Sequence, residues 1–155
     1  MAEERTDLIL EFDEELQAFD LRLDTDTGDL KKDRDLFTSL IVSVLADRRS
    51  FNDDPIPNSK GWSGDSIKRD DEENVGSRIW LLGRRKTTQE TLNLLDEYAR
   101  EALDWYVFND IAERYELETF YLDKVAGIAV LLVRIYTKEG NIEKRFEFAW
   151  RQLEE

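Results

Sequence analysis

The chain has 155 residues, with 22 basic against 36 acidic side chains and a net charge of −14. It has no cysteine and no histidine. That excludes disulfides, thiol catalysis, Ser–His and Cys–His nucleophilic pairs and the commonest transition-metal ligands. So acidic a chain is repelled by phosphate backbones and anionic lipid, so neither nucleic acid nor membrane is expected as a partner. The basic clusters are short, Arg48-Arg49 and Arg84-Arg85-Lys86, and no apolar run approaches the ~20 residues that span a bilayer. The opening MAEERTD has no signal-peptide core, so export is not expected. At this length a single domain over residues 1–155 is expected.

Asp7–Asp13 and Ala18–Asp24 read as two strands. In the second, Phe19, Leu21 and Leu23 alternate with Asp20, Arg22 and Asp24, a half-buried pattern. Asp24-Thr25-Asp26-Thr27-Gly28-Asp29 has the look of a calcium loop, with Asp35 at its twelfth position. The order of Gly and Asp departs from the EF-hand pattern, so a hairpin turn with solvated acids is the favoured reading and no metal is expected. Leu36, Phe37, Leu40, Ile41, Val44 and Leu45 then recur at helical spacing, predicting a helix over Asp33–Arg48 capped by Asp33 or Asp35.

Residues 50–75 hold both prolines, two glycines and almost no periodic pattern. An irregular connection of this length in a compact domain is commonly functional or disordered. Its charge run, Lys68 to Glu73, reads as a solvated tip. Ile79–Leu82 is a short apolar run. Thr87-x-x-Glu90 is a capping box that opens a second helix ending near Asn109. Leu92, Leu95, Ala99, Ala102, Leu103 and Tyr106 line one face of that helix. Asp96, Glu97, Arg100, Glu101 and Asp104 line the other.

Arg114–Leu122, Gly127–Thr137 and Ile142–Trp150 make a three-stranded antiparallel meander, with Lys138-Glu139-Gly140-Asn141 as the hairpin turn between the last two. The final strand is expected at a sheet edge, and either it or the N-terminal strand Asp7–Asp13 is expected to receive a strand from a partner. The fold class is α+β: an N-terminal hairpin and a C-terminal meander packed with two main helices and one long loop.

The chemistry-bearing residues yield few sites. Acid pairs are so common here that pairing carries little information. Asp53-Asp54 and Asp65 lie in the long loop, where a cleft would form, yet Asp65 is read as capping a turn through its own backbone. Trp105 and Trp150 fit a core role. Trp62, between glycines in a polar loop, fits it least and reads as an interface anchor. Arg48 and Arg49 have two readings of equal weight. One is favourable charge at a helix C-terminus. The other is a guanidinium in an ion-pair network with loop acids such as Asp65. No catalytic, cofactor or metal residue is assigned.

Three stretches together carry a resemblance: GDLKKDRDLFTSLIVSVLADRRS from Gly28, GWSGDS from Gly61 and GSRIWLLGRRKTTQETLNLLDEYAREALDWYV from Gly76. They resemble the Mu-type phage and prophage tail baseplate proteins, which are similar to the small wedge protein of contractile-tail baseplates. The family pattern has a second Trp where this chain has Ser63. The resemblance implies a structural virion protein of the tail baseplate, assembled in the host cytoplasm. Its implied partners are other wedge proteins and tail tube or sheath proteins. Partner contact is then expected at Arg48, Arg49, Trp62, Asp65, Arg78 and Trp80. The alternative is a tail-associated muramidase-like peptidoglycan hydrolase, since relatives have been linked to lysozyme activity; no acid pair in this sequence supports it.

Overall fold

The computed structural model describes residues 7–15, 18–21, 23–30, 32–33, 36–67, 69 and 74–149. Arg22, Asp35, Lys68, the acids 70–73 and Trp150 lie outside them, and with them the twelfth calcium position, most of the charge run and one proposed core tryptophan. The chain divides into two compact units, one ending at Ile41 and the other beginning at Val42.

In the first unit the N-terminal strand is broken in two. Strand β1, Asp7–Leu8, pairs antiparallel with β4, Lys32–Asp33. Strand β2, Leu10–Asp13, pairs with β3, Ala18–Leu21, with Leu10 opposite Leu21. The hydroxyl of Thr38 spans the break: it donates to the Leu8 carbonyl and accepts from the Leu10 amide at 3.1 Å. Asp33, one of the two expected helix caps, is therefore a strand residue, and helix α1 starts later, over Phe37–Leu45. Between Leu23 and Leu30, which form a bridge, the Asp24 carboxylate accepts from the amides of Asp26 and Thr27 at 2.9 and 3.2 Å. Its oxygen is occupied by the backbone of a turn, as the hairpin reading requires. No acid cluster suited to a metal forms among the described residues.

The second unit is built around helix α2, Gln89–Phe108. Thr88, extended at φ −119°, accepts from the Thr91 amide and is the N-cap. The cap is thus one residue later than the Thr87 box predicts, because the Thr91 hydroxyl also closes on the Lys86 carbonyl at 2.7 Å. The helix buries Leu92, Leu95, Tyr98, Ala99, Ala102, Leu103 and Tyr106. It packs against strands β5 (Arg114–Asp123) and β6 (Ile128–Thr137). It also meets a 3₁₀ segment, Ile79–Arg84, whose Ile79, Leu81 and Leu82 are buried.

The meander has the order β5-β6-β7, all antiparallel, with β7 spanning Gly140–Ala149 as an outer strand. Thr137 pairs with Gly140, so the turn shortens to Lys138-Glu139 and Asn141 joins the strand opposite Tyr136. Ala129, Leu131, Val133 and Ile135 of β6 are fully buried. Burying each of the larger ones contributes roughly 1.5–3 kcal/mol. Tyr115 and Tyr121 of β5 tie the sheet to the helix, donating to the Asp104 carboxylate and, at 2.8 Å, to the Thr88 carbonyl. The hairpin and the meander are separate sheets, and the fold is α+β.

Candidate functional site

The long loop begins where α1 stops. Past Leu45 the chain runs extended, and the Arg48 amide donates to the Ser77 carbonyl at 2.9 Å, while the Ser77 amide donates to Ala46 at 2.9 Å. The Ser77 hydroxyl adds a bond to the Val44 carbonyl at 2.6 Å. Gly76 makes this parallel contact feasible. It sits at φ +97°, and a Cβ there would lie 2.3 Å from the Ala46 carbonyl oxygen. The segment after the loop is thereby laid against the segment before it.

Between them, residues 50–59 close on themselves. The Ser50 amide donates to the Ser59 carbonyl at 3.1 Å, the Ser59 amide donates to the Ser50 hydroxyl at 2.9 Å, and that hydroxyl bonds the Ile56 carbonyl. Asn58 and Lys60 take positive φ, 49° and 59°, to complete the turn back. What reads as patternless in sequence is therefore a compact loop with joined ends.

Arg78 is the centre of the region. It is 8% exposed. Its Nε and Nη2 donate to Glu101 Oε2 at 3.0 and 2.7 Å, and its Nη1 donates to Asp54 Oδ1 at 2.7 Å. The guanidinium lies over two rings, 4.1 Å from the centre of Phe51 and 4.5 Å from that of Tyr98. Burial by itself lowers the Arg78 pKa, but the bonds to Glu101 and Asp54 outweigh it and hold the cation more firmly than usual. Arg48 approaches the same Glu101 at 3.5 Å. The Asp54 carboxylate also accepts from the Phe51 amide at 2.7 Å, which fixes the turn that presents both residues to Arg78. Two arginines and two acids thus meet where helix α2, the loop and the 3₁₀ segment converge.

The six residues expected at a partner surface separate. Arg48 and Arg78 share Glu101. The ion pair anticipated between Arg48 and loop acids such as Asp65 goes to Glu101 instead. Arg48 also lies beyond the helix, so the helix-end reading fails for it. Asp65 sits in a short 3₁₀ turn, Ser63–Ser66, and accepts from the Val75 amide ten residues on at 3.3 Å. Trp80 is half-buried, and its indole N–H donates to the Arg48 carbonyl at 2.8 Å. Lys60 covers its ring at 4.6 Å and pairs with Asp47 at 2.6 Å. Arg49 and Trp62 are exposed. Trp62, 55% exposed, lies over Gly64 so closely that a Cβ on that glycine would sit 2.0 Å from the ring. Phe51 and Ile56 on the same loop are also exposed. Trp105 is half-buried, with its N–H on Ser43 at 3.1 Å.

Phe51, Asp54, Tyr98 and Glu101 were not singled out from the sequence as a group. Glu101 falls on the polar stripe of α2, and Tyr98 beside it looks like a stray aromatic. The one local signal is their i,i+3 spacing, which puts a ring and an acid on adjoining turns of one face.

The sequence profile of the family described as phage protein GP46 matches residues 36–142, a span that contains the whole Arg78 cluster. The baseplate protein gp46 of Escherichia phage Mu is 40% identical over 81 residues, 50% of this chain and 54% of that protein. The alignment thus spans about half of the Mu protein's length. The Mu-like prophage FluMu protein gp46 of Haemophilus influenzae is 29% identical over 125 residues, 80% of this chain and 85% of its own length. With more than half of its length matched by one family profile, this chain belongs to the phage protein GP46 family, the Mu-type baseplate proteins.

Proposed function

We propose that the chain is a structural component of a contractile phage tail baseplate, a single functional unit that joins the wedge and contributes to sheath initiation. Family membership carries this reading, since the related phage Mu protein bears the name baseplate protein. The division of labour in the loop supports it. Arg48, Asp65, Arg78 and Trp80 hold the region in shape, while Arg49 and Trp62 are exposed and meet another wedge, tube or sheath protein. A preformed loop with an exposed tryptophan suits this role, because little ordering entropy is lost when the partner docks. The chain acts by binding rather than by catalysis, works in the virion tail and is incorporated during assembly in the host cytoplasm.

Trp62→Ala tests the reading. The melting temperature of the purified protein should stay within a degree or two of wild type, because an exposed ring contributes little to folding. Incorporation into baseplates, followed by co-purification with the neighbouring tail proteins, should fall at least about tenfold, the loss of an aromatic interface anchor. Normal incorporation, or a large fall in melting temperature, would remove Trp62 from the interface. Reproducible peptidoglycan clearing abolished by a single acid substitution would replace the whole reading.

A further inference from the structure

The loop of residues 51–58 has an unusual attachment. Its neck is closed by Ser50 and Ser59, and its side chains are exposed almost throughout. The exception is Asp54, whose side chain is 7% exposed. Among the described residues, the polar links of the loop and its base to the rest of the second unit are Asp54 to Arg78 and Lys60 to Asp47. The latter pair is half open to water and contributes little. The ring of Phe51 lies against the same guanidinium that Asp54 binds, 4.1 Å from ring centre to Cζ. One cation thus holds both the acid and the ring of this loop.

We propose that residues 51–58 form a latched flap that opens independently of the core, with the Asp54–Arg78 ion pair as its latch. Opening does not strand a buried charge, because Arg78 keeps two bonds to Glu101 Oε2 and its stacking on Tyr98. The closed neck and the positive-φ residues Asn58, Lys60 and Gly61 beside it supply the hinge. A compact loop with joined ends and few buried groups is the kind of unit that opens below the global unfolding free energy. This device does not depend on the baseplate reading: it follows from the isolated chain.

Hydrogen exchange on the full chain decides it, comparing wild type with Asp54→Asn and Arg78→Lys. Asp54→Asn keeps an acceptor for the Phe51 amide and leaves Arg78 neutralised by Glu101, so it removes the latch alone. In this variant the unanchored loop should loosen its internal Phe51–Asp54 turn, so the amides of Phe51 and Asp54 should exchange at least about tenfold faster, the scale of one lost charged hydrogen bond, while the Ser59 amide in the closed neck keeps its rate. The amides of Leu95–Leu103 and Ala129–Ile135 should keep their wild-type rates. Arg78→Lys should repeat the local acceleration without altering any loop residue. Unchanged exchange at Phe51 and Asp54 in Asp54→Asn would overturn the latch. Acceleration spreading equally into α2 and β6 in that variant would also overturn it, by making Asp54 part of the core.

Discussion

Two sets of arginine–carboxylate pairs in this protein have the same chemistry and opposite surroundings. On the outer face of the meander, Arg134 of β6 bonds Glu143 across to β7 at 2.7 Å and approaches Glu118 of β5 at 3.7 Å. Arg145 pairs with Glu147, and Arg114 with Glu116, along their own strands. All of these side chains are between about one third and three fifths exposed. At the loop, the Arg78 and Asp54 side chains are nearly closed to water, Glu101 is about one quarter exposed, and two rings lie against the guanidinium. Water screens the first set, so each pair merely keeps a sheet face soluble and in register. Burial makes the second set depend on its central cation: with Arg78 in place three segments are held together, and without it both acids lose the partner that offsets their desolvation.

The largest effect that separates the two sets should come from Arg78→Met. The substitution keeps most of the side-chain volume but removes the cation that both Asp54 and Glu101 bind, and with it the tie between the loop, the 3₁₀ segment and α2. A loss of about 3 kcal/mol in denaturant unfolding is expected. A loss below about 1 kcal/mol would mean that water already reaches the cluster and that the contrast with the sheet face is false.

Tyr115 stands between the two environments. Burial, then its bond to Asp104, raises its pKa, since both oppose a phenolate there. A group with a raised folded pKa stabilises the fold fully below its unfolded value, near 10 for tyrosine, and that stability is lost as pH rises through the folded value. Thermal stability should therefore decline as pH climbs above about 10, and Tyr115→Phe should flatten that decline. At neutral pH the same variant should cost about 0.5–1 kcal/mol, discounted because the pair is open to water on one side. An identical alkaline profile in wild type and variant would assign the decline to other tyrosines.

The smallest effect is expected on the outer sheet face. Arg145→Gln should leave the denaturation midpoint within error of wild type at ordinary ionic strength, since an exposed pair gains little over hydration. A shift as large as that of Arg78→Met would show that the face is shielded by something the isolated chain does not supply.

The sequence by itself determined the elements whose signal is local. Period-3.6 spacing placed α1 and α2, and alternation with β-branched content placed β5 to β7 in an α+β plan. The glycine-bounded Trp62 was legible as a residue without a core to enter. Boundaries moved where a neighbour outside the window competed. Asp33 went to a strand because Asp7 pairs with it, and the α2 cap passed to Thr88 because Thr91 closes on Lys86. Tertiary structure alone chose the partners of charge. Asp54 and Glu101 meet Arg78 across 24 and 23 residues in opposite directions along the chain. In a sequence with 36 acids no pattern marks those two. A carboxylate becomes distinctive only when folding takes its water away, and that happens where the loop, the 3₁₀ segment and α2 close over one guanidinium.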